Sequence, residues 1–352
     1  MADSNLAYKR RYSLSIAHPE KTIRTKTPSA VQGVYENPVG PTYIYPLKID
    51  PALNSNPAYF DYVFTNNDAQ VISELNMQAT IVYEKDVVSA TPQQATITLY
   101  NVSKETDQYL KEEATIKLQA GYEKDGDDLP TLFIGQISTK ITTKNGADTI
   151  TTLYCGDSYT LKKTFRHVET LPSSNTFRQN LERIFVIAAS AGVPQGNFLP
   201  EDAEIPLRAD FNLDKKSLKG WIIDGKFFEQ VAKLCNAINY RSYTAKGRLF
   251  IEPKSFVAKD VDVVEVNANN IKENLSQLTD SSTNFTTEKE QLNGVSFSTY
   301  LNGDISPEKT VKLVEVGDLS GQYEISSLRH VLDLEGSKWD TVVECKKQIL
   351  PS

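Results

Sequence analysis

Along most of the chain apolar and polar residues alternate with a period of two, the pattern of strands that bury one face. Residues 11–17 (RYSLSIA), 77–88 (MQATIVYEKDVV), 95–102 (ATITLYNV) and 114–122 (ATIKLQAGY) read as strands. Within 95–102, Ile97 and Leu99 alternate with Thr96, Thr98 and Tyr100. A short helix is expected at SKETDQYLKEE, with Ser103 as its N-cap. Asp125-Gly126 predicts a turn before LPTLFIGQI. The run GQISTKITTKNGADTITTLYC (135–155) then reads as a hairpin. Ile137, Thr139, Ile141 and Thr143 alternate with their neighbours, and Asn145-Gly146 makes the turn.

That hairpin has an echo. Residues 321–345, GQYEISSLRHVLDLEGSKWDTVVEC, also open with Gly-Gln, turn at Glu335-Gly336 and end in cysteine. In both, the cysteine follows the turn glycine at the same spacing, and a threonine (Thr151, Thr341) stands four residues before it. Strand parity puts Thr149, Thr151, Leu153 and Cys155 on one face, matched by Trp339, Thr341, Val343 and Cys345. The outgoing strands match less well, because the second is four residues longer from Gly-Gln to the turn glycine.

Between the hairpins the period changes to that of helices. Over 176–191, Phe177, Leu181, Ile184, Phe185 and Ala188 share a helical face; Ser174 or Asn175 is placed to cap it, and Gly192 with Pro194 ends it. A second helix, about 225–239, starts near Asp224 and buries Phe228, Val231, Cys235 and Ile238. A hairpin turning near Lys246-Gly247 follows. Residues 256–290 are polar, with three Lys against seven Asp/Glu over 256–300, and read as a surface linker with strand fragments. Alternation returns from 291, punctuated by Asn302-Gly303, Gly317 and Glu335-Gly336.

The fold class is therefore β-rich α+β: two similar antiparallel β-barrels flank a smaller α+β domain. The expected domains are 1–160, 161–255 and 256–352. A proline-rich insertion, about 17–70, interrupts the first. Seven of the sixteen prolines fall between Pro19 and Pro57, which rules out helix and central strand there. Residues 1–48 carry seven Lys/Arg against three Asp/Glu, so this reads as an arm ordered by an acidic neighbour or as a solvated basic loop.

Composition narrows the function. Hydrophobic residues at 39% and aromatics at 9% support packed cores. No apolar run reaches the ~18–20 residues that span a bilayer, so no membrane anchor is expected, and no signal peptide is read at the N-terminus. A net charge of −7 argues against a broad nucleic-acid-binding surface, although not against transient passage of nucleic acid. The cysteines Cys155, Cys235 and Cys345 lack CxxC spacing and read as small buried side chains.

Catalytic constellations are scarce. His18, His167 and His330 have no ligand partner at metal spacing, and there is no GxSxG elbow. GYEKDGDD (121–128) has phosphate-loop spacing, but Asp127 stands where lysine is needed; Asp125, Asp127 and Asp128 lack EF-hand spacing. Glu112 with Glu113, and Glu201, Asp202 and Glu204, are carboxylate groups without a surrounding sugar cleft. Trp221 and Trp339 read as core anchors, and the basic run 9–11 is too short for a nucleic-acid patch. No catalytic, cofactor or metal residue is assigned, and no cofactor is expected.

Several short motifs, taken in order, resemble one family. They are Tyr100-Asn101-Val102-Ser103, Ala120-Gly121-Tyr122 and Phe133-Ile134-Gly135 in the first half. In the second half they are Asn293-Gly294-Val295, Leu301-Asn302 with Ile305, and Gly321-x-Tyr323-x-Ile325 with His330. The chain resembles the baseplate or tail hub proteins of contractile-tailed bacteriophages, the late-control D-like hubs, over 77–160 and 290–347 and more loosely over 176–253. The insertion 17–70 departs from that pattern.

The resemblance implies a non-enzymatic homotrimeric ring in the tail baseplate of a virion, assembled in the host cytoplasm. It would join a sixfold tail tube to a threefold central spike, with tape measure and baseplate components as further partners. Two like barrels per chain would let three chains present a nearly hexameric face. DNA would pass through the lumen, where acidic walls reduce sticking. The alternatives are a tail-associated cell-wall hydrolase and a β-rich receptor-binding tail protein.

Overall fold

The computed structural model describes residues 9–17, 70–85, 93–123, 128–197, 199, 213, 220–254, 263–278 and 294–347. Most of the insertion, the Asp125-Gly126 turn, His18, and Glu201, Asp202 and Glu204 lie outside the described residues.

The first seven strands are β1 (Arg10–Ala17), β2 (Gln70–Ile72), β3 (Met77–Glu84), β4 (Gln94–Tyr100), β5 (Thr115–Tyr122), β6 (Thr131–Asn145) and β7 (Asp148–Gly156). Between β4 and β5 lies the one-turn helix α1 (Lys104–Asp107), and Ser103 caps it by accepting from the Thr106 amide. The last six strands are β12 (Val263–Asn267), β13 (Ile271–Leu278), β14 (Gly294–Tyr300), β15 (Thr310–Val314), β16 (Gly321–Asp333) and β17 (Trp339–Lys347). The polar segment after 256, expected to be largely linker, thus holds two regular strands.

Hydrogen-bonded neighbours reveal the same module twice. The first runs β1-β5-β6-β7-β4-β3 and the second β12-β15-β16-β17-β14-β13. All partnerships are antiparallel except β12–β15, which is parallel. The β-rich α+β class and the two like antiparallel modules are those read from the sequence. Pairing of β16 with β3 joins the modules into one sheet whose described order is an open path. One apolar cluster, including Ile97, Leu153, Phe297 and Val343, spans both modules.

The repeated hairpins correspond residue by residue. Cys155 lies opposite Ile137 and Ala95, and Cys345 lies opposite Ile325 and Val295. Each outgoing strand then carries a bulge, at Ser138 in β6 and Ser326 in β16, where an extra residue is inserted. From bulge to turn the two strands have equal length: Asn145 pairs with Asp148, and the Asp333 amide bonds the Lys338 carbonyl. The length difference read from the sequence has two sources. The second loop is longer, and the opening Gly-Gln pairs are not equivalent, because Gln136 corresponds to Glu324.

The bulge also corrects the reading of β6. Ile137 is fully buried, whereas Ile141 is 46% exposed, because the extra residue reverses the parity between them. The first turn is centred on Gly146-Ala147 rather than Asn145-Gly146, and only Gly146 of that pair takes a positive φ, +62°. The predicted inward face of the return strands holds. Thr151, Leu153 and Cys155 are buried, as are Trp339, Thr341, Val343 and Cys345, while Thr149 is half-buried.

The α+β segment has its own apolar cluster, built from Leu181, Ile184, Phe185, Phe227, Val231 and Cys235 among others. It contains α2 (Tyr159–Thr164), β8 (Arg166–Leu171), α3 (Phe177–Ser190), β9 (Trp221–Lys226), α4 (Phe227–Ala237), β10 (Tyr240–Ala245) and β11 (Arg248–Pro253). Helix α3 is capped by Thr176 rather than by Ser174 or Asn175. Thr176 and Gln179 form a reciprocal capping box, which satisfies two amides that a lone cap would leave open. Asp224 lies within β9, so α4 begins later than its periodicity implied. The β10–β11 turn falls at Lys246-Gly247, both with positive φ, as a type I′ hairpin requires.

Candidate assembly interface

The junction between modules is a strand edge reinforced by side chains. β16 contributes Ser327–Asp333 and β3 contributes Glu84–Gln78 in antiparallel register, with His330 opposite Ile81. Leu328, His330 and Leu332 turn inward and are buried alongside Ala79, Ile81 and Tyr83. The Tyr83 hydroxyl donates to the Leu132 carbonyl, and its ring meets His330 edge-on at 6.3 Å.

Arg10, in the short basic run, closes the other side of this junction. Its guanidinium donates to the carbonyls of Asp333 (2.6 Å), Gly336 and Ser337 (3.3 Å), at the turn of the second hairpin, and lies 5.7 Å from the Trp339 ring centroid. Trp339 is buried, and its indole Nε1 donates to the Gly121 carbonyl at 3.2 Å. The side chain read as a core anchor therefore anchors one module to the other. Trp221 is half-buried against Phe177, at 5.9 Å between ring centroids.

The signature motifs now have physical reasons. Asn101 takes a left-handed φ of +56°, and its amide pins Asp148 (2.9 Å) and the Thr149 backbone (3.0 Å) beside the first hairpin turn. A Cβ on Gly135 would sit 2.5 Å from the Phe133 ring, so the glycine of Phe-x-Gly makes room for that ring in the core. Leu301 and Ile305 are both buried.

His330 and Thr341 form a buried polar pair. Thr341 Oγ1 accepts from the Asn302 amide (3.0 Å) and lies 3.0 Å from His330 Nδ1. The imidazole tautomer sets which of the two donates to the other, since the hydroxyl keeps both a proton and a second lone pair for the ring nitrogen. Burial first, then the charge of Lys246, pushes the imidazole pKa down to about 3. In the first module the same two positions hold Thr142 and Thr151, whose hydroxyls are 3.4 Å apart.

A buried ionic cluster ties the sheet to the α+β segment. Glu252 on β11 accepts from Arg241 Nε at 2.9 Å and lies 3.1 Å from Lys85 Nζ, and Arg241 also reaches Glu324 on β16. Burial alone would raise the Glu252 pKa, but the two cations outweigh it and hold the carboxyl low. Nearby, buried Asp157 accepts from the Ser158 hydroxyl (2.8 Å) and the Gly247 amide (3.1 Å). Burial raises its pKa and pushes that of the adjacent Lys162 down to about 8. Neither cluster could be read from the sequence, because its members come together only across the tertiary contact.

The remaining sequence candidates scatter. Glu112 and Glu113 are exposed after α1, and Asp128 is exposed. His167 bonds Glu169 at 2.9 Å, and Arg183 grips the same carboxylate at 2.8 Å. All three cysteines are free and buried, with thiol pKa values pushed up by burial, that of Cys235 to about 12. Among the described residues no group of His, Cys, Asp and Glu could hold a metal ion, and no helix is long and apolar enough to cross a membrane.

No protein-family model matches the sequence, and no curated protein matches it. Solved structures do. The 43 kDa tail protein of prophage MuSo2 from Shewanella oneidensis aligns at TM-score 0.52 and 10% identity, covering 79% of this chain and 94% of that one. A tail protein from Neisseria meningitidis MC58 aligns at TM-score 0.54 and 8% identity, again over 79% and 94%. The Escherichia coli c3393 protein aligns at TM-score 0.50 and 10% identity, over 78% and 74%. It is described as a component of the type VI secretion system, structurally similar to T4 bacteriophage tail proteins gp27 and gp5. The chain thus has the fold of phage tail proteins, in keeping with the hub family that its motifs resemble.

Proposed function

We propose that the protein is a non-enzymatic structural hub in the tail baseplate of a phage or related contractile injection machine. Three chains close into a ring. Their six modules face a sixfold tail tube on one side and adapt it to a threefold central spike on the other, and DNA passes through the lumen. Residues 1–160 and 256–352 act as the two tube domains, and 161–255 widens the ring to meet spike or baseplate components, with the tape measure as a further partner. The insertion about 17–70 contacts another chain or another protein.

The observation that carries this reading is the repeat of one strand order, with its two copies joined edge to edge in one sheet. A trimer presents a nearly hexameric face only if each chain supplies that face twice. Light scattering with negative-stain imaging tests it. Particles of three chains with six lobes around a hole are expected; a monomer at every concentration, with or without tail-tube protein, overturns the reading. Peptidoglycan release by the purified protein would instead favour a tail-associated hydrolase.

A further inference from the structure

The sheet and the α+β segment have separate apolar cores. The buried cluster that spans both modules has no member between Cys155 and Val266, and that of the α+β segment runs from Leu171 to Ile251. Polar groups join the two. Lys85, at the end of β3, lies 3.1 Å from Glu252 on β11 and 3.6 Å from Glu324 on β16. Arg241 on β10 lies 2.8 Å from Glu252 and also reaches Glu324. Beside this cluster, Asp157 accepts from the Gly247 amide at the β10–β11 turn (3.1 Å), and Gln136 on β6 accepts from the Thr160 amide in α2 (2.8 Å). Lys85, Gln136, Asp157, Arg241 and Glu252 are all buried.

We propose that this polar seam is a releasable clasp: the α+β segment undocks from the sheet as one body, turning at Asp157-Ser158, while both cores stay folded. The reason lies in how buried charges respond to separation. Shifting one charge away from its partners inside the seam strands a buried ion, which is strongly unfavourable. Parting the whole seam returns every charge to water, and hydration offsets the lost attraction. An apolar interface has no such compensation, because separation exposes apolar area on both faces. The seam therefore fixes one docked position, resists partial slippage and still opens as a unit.

The distribution of charge fits this role. Each side of the seam holds one cation and one carboxylate: Lys85 with Glu324 on the sheet, and Arg241 with Glu252 on the β10–β11 hairpin. Arg241 and Glu252 are also direct cross-strand partners. Opening leaves each side with its own ion pair and no net charge from these four groups. The crossing point is suited to turning. Ser158 takes a left-handed φ of +52°, which a serine holds only where its surroundings enforce it. Its hydroxyl donates to Asp157 (2.8 Å), the same carboxyl that holds Gly247 across the seam. Opening frees Gly247 and lets Ser158 relax. Hinges are a few residues of this kind, and bodies without a shared apolar core move relative to each other by default.

The inference concerns a single chain and does not depend on the hub reading. Hydrogen exchange of the full chain, resolved to single amides and corrected for intrinsic rates, tests it. The Thr160 and Gly247 amides have their acceptors across the seam, on different elements, and report its opening. They are expected to exchange with equal protection, about tenfold or more below amides within α4 and β7, and with a weaker denaturant dependence. A variant with an apolar seam (Lys85→Met, Arg241→Met, Glu252→Leu and Glu324→Leu together) is expected to slow both amides towards the core rate, although their own partners are intact. If that variant does not fold, Glu252→Gln serves in its place, and both amides are expected to speed up together by about a hundredfold or more. Seam amides that exchange only with the cores overturn the clasp, as do unequal protections of the two amides. Seam rates unchanged by the apolar variant, or by Glu252→Gln where that is used, overturn the role of the charges and the proposal with it.

Discussion

Ser138 and Ser326 occupy the same position in two hairpins. Each is the extra residue of a bulge, and each hydroxyl donates across the strand pair, to the Tyr154 carbonyl at 2.9 Å and the Glu344 carbonyl at 3.0 Å. The bulge turns the outgoing strand so that Leu328, His330 and Leu332 face inward in one copy and Lys140, Thr142 and Lys144 take those positions in the other. Ser138→Ala and Ser326→Ala are each expected to lower stability by about 1 kcal/mol, and the double variant by the sum. Urea unfolding measures this. A strongly unequal pair of effects would show that the two bulges do different structural jobs.

The His330 imidazole makes stability depend on pH. Its folded pKa, about 3, lies below the ordinary value near ~6.5. Between those values the unfolded chain binds a proton that the folded chain does not. This contribution is full above pH ~6.5 and is lost as pH falls towards 3, with a slope of up to about 1.4 kcal/mol per pH unit. His330→Gln keeps a partner for Thr341 but does not titrate. Between pH ~6.5 and ~5, its stability profile is expected to be flatter than that of the native protein. Parallel profiles would place the acid sensitivity elsewhere.

Trp339 holds the second hairpin against the first module through its ring and through the Gly121 carbonyl. Trp339→Ala is expected to cost about 3–5 kcal/mol. Trp339→Phe retains most of the volume and loses the indole hydrogen bond, costing about 1–2 kcal/mol. Thermal melting of the two variants gives the order, and a smaller loss for Ala than for Phe would contradict it.

Glu252 sits between Lys85 and Arg241, and removing its charge leaves two cations buried. Glu252→Gln is expected to destabilise by about 3–5 kcal/mol. Limited proteolysis should show the β10–β11 hairpin cut first, since Glu252 holds that hairpin to the sheet. Unchanged resistance would mean that Glu324 alone satisfies both cations.

The three thiols are expected to resist labelling in the native protein and to react fully once it is unfolded. Mass spectrometry after exposure to a maleimide checks this. Labelling of native Cys155 or Cys345 would contradict the strand register that turns them inward.

Much of this architecture can be read from local pattern. Alternation located β1, β3 to β7 and β14 to β17, because a strand with one buried face must write its parity into the sequence. The inward residues of both return strands followed from that parity, and Cys155 and Cys345 as counterparts from their equal spacing to the turn glycines. A further signal was present: Thr115-Ile116-Lys117-Leu118 and Thr310-Val311-Lys312-Leu313 occupy equivalent places in β5 and β15. β12 and β13 were read only as strand fragments in a surface linker, because edge strands with little buried surface need no apolar alternation.

Sequence by itself determined most of the strand content, the helical middle and the existence of a repeat, since each depends on neighbours a few residues apart. Tertiary structure decided which strands touch. The exposed Ile141, the reach of Arg10 to the second hairpin and the cluster around Glu252 depend on a bulge or on contacts between residues distant in the chain. The side-by-side placing of β16 and β3 is of the same kind, because backbone hydrogen bonds are the same for every residue type and an edge carries no label for its partner. The hairpin was written twice, and only the folded sheet shows that one copy has its neighbour strand while the other, among the described residues, has an open edge.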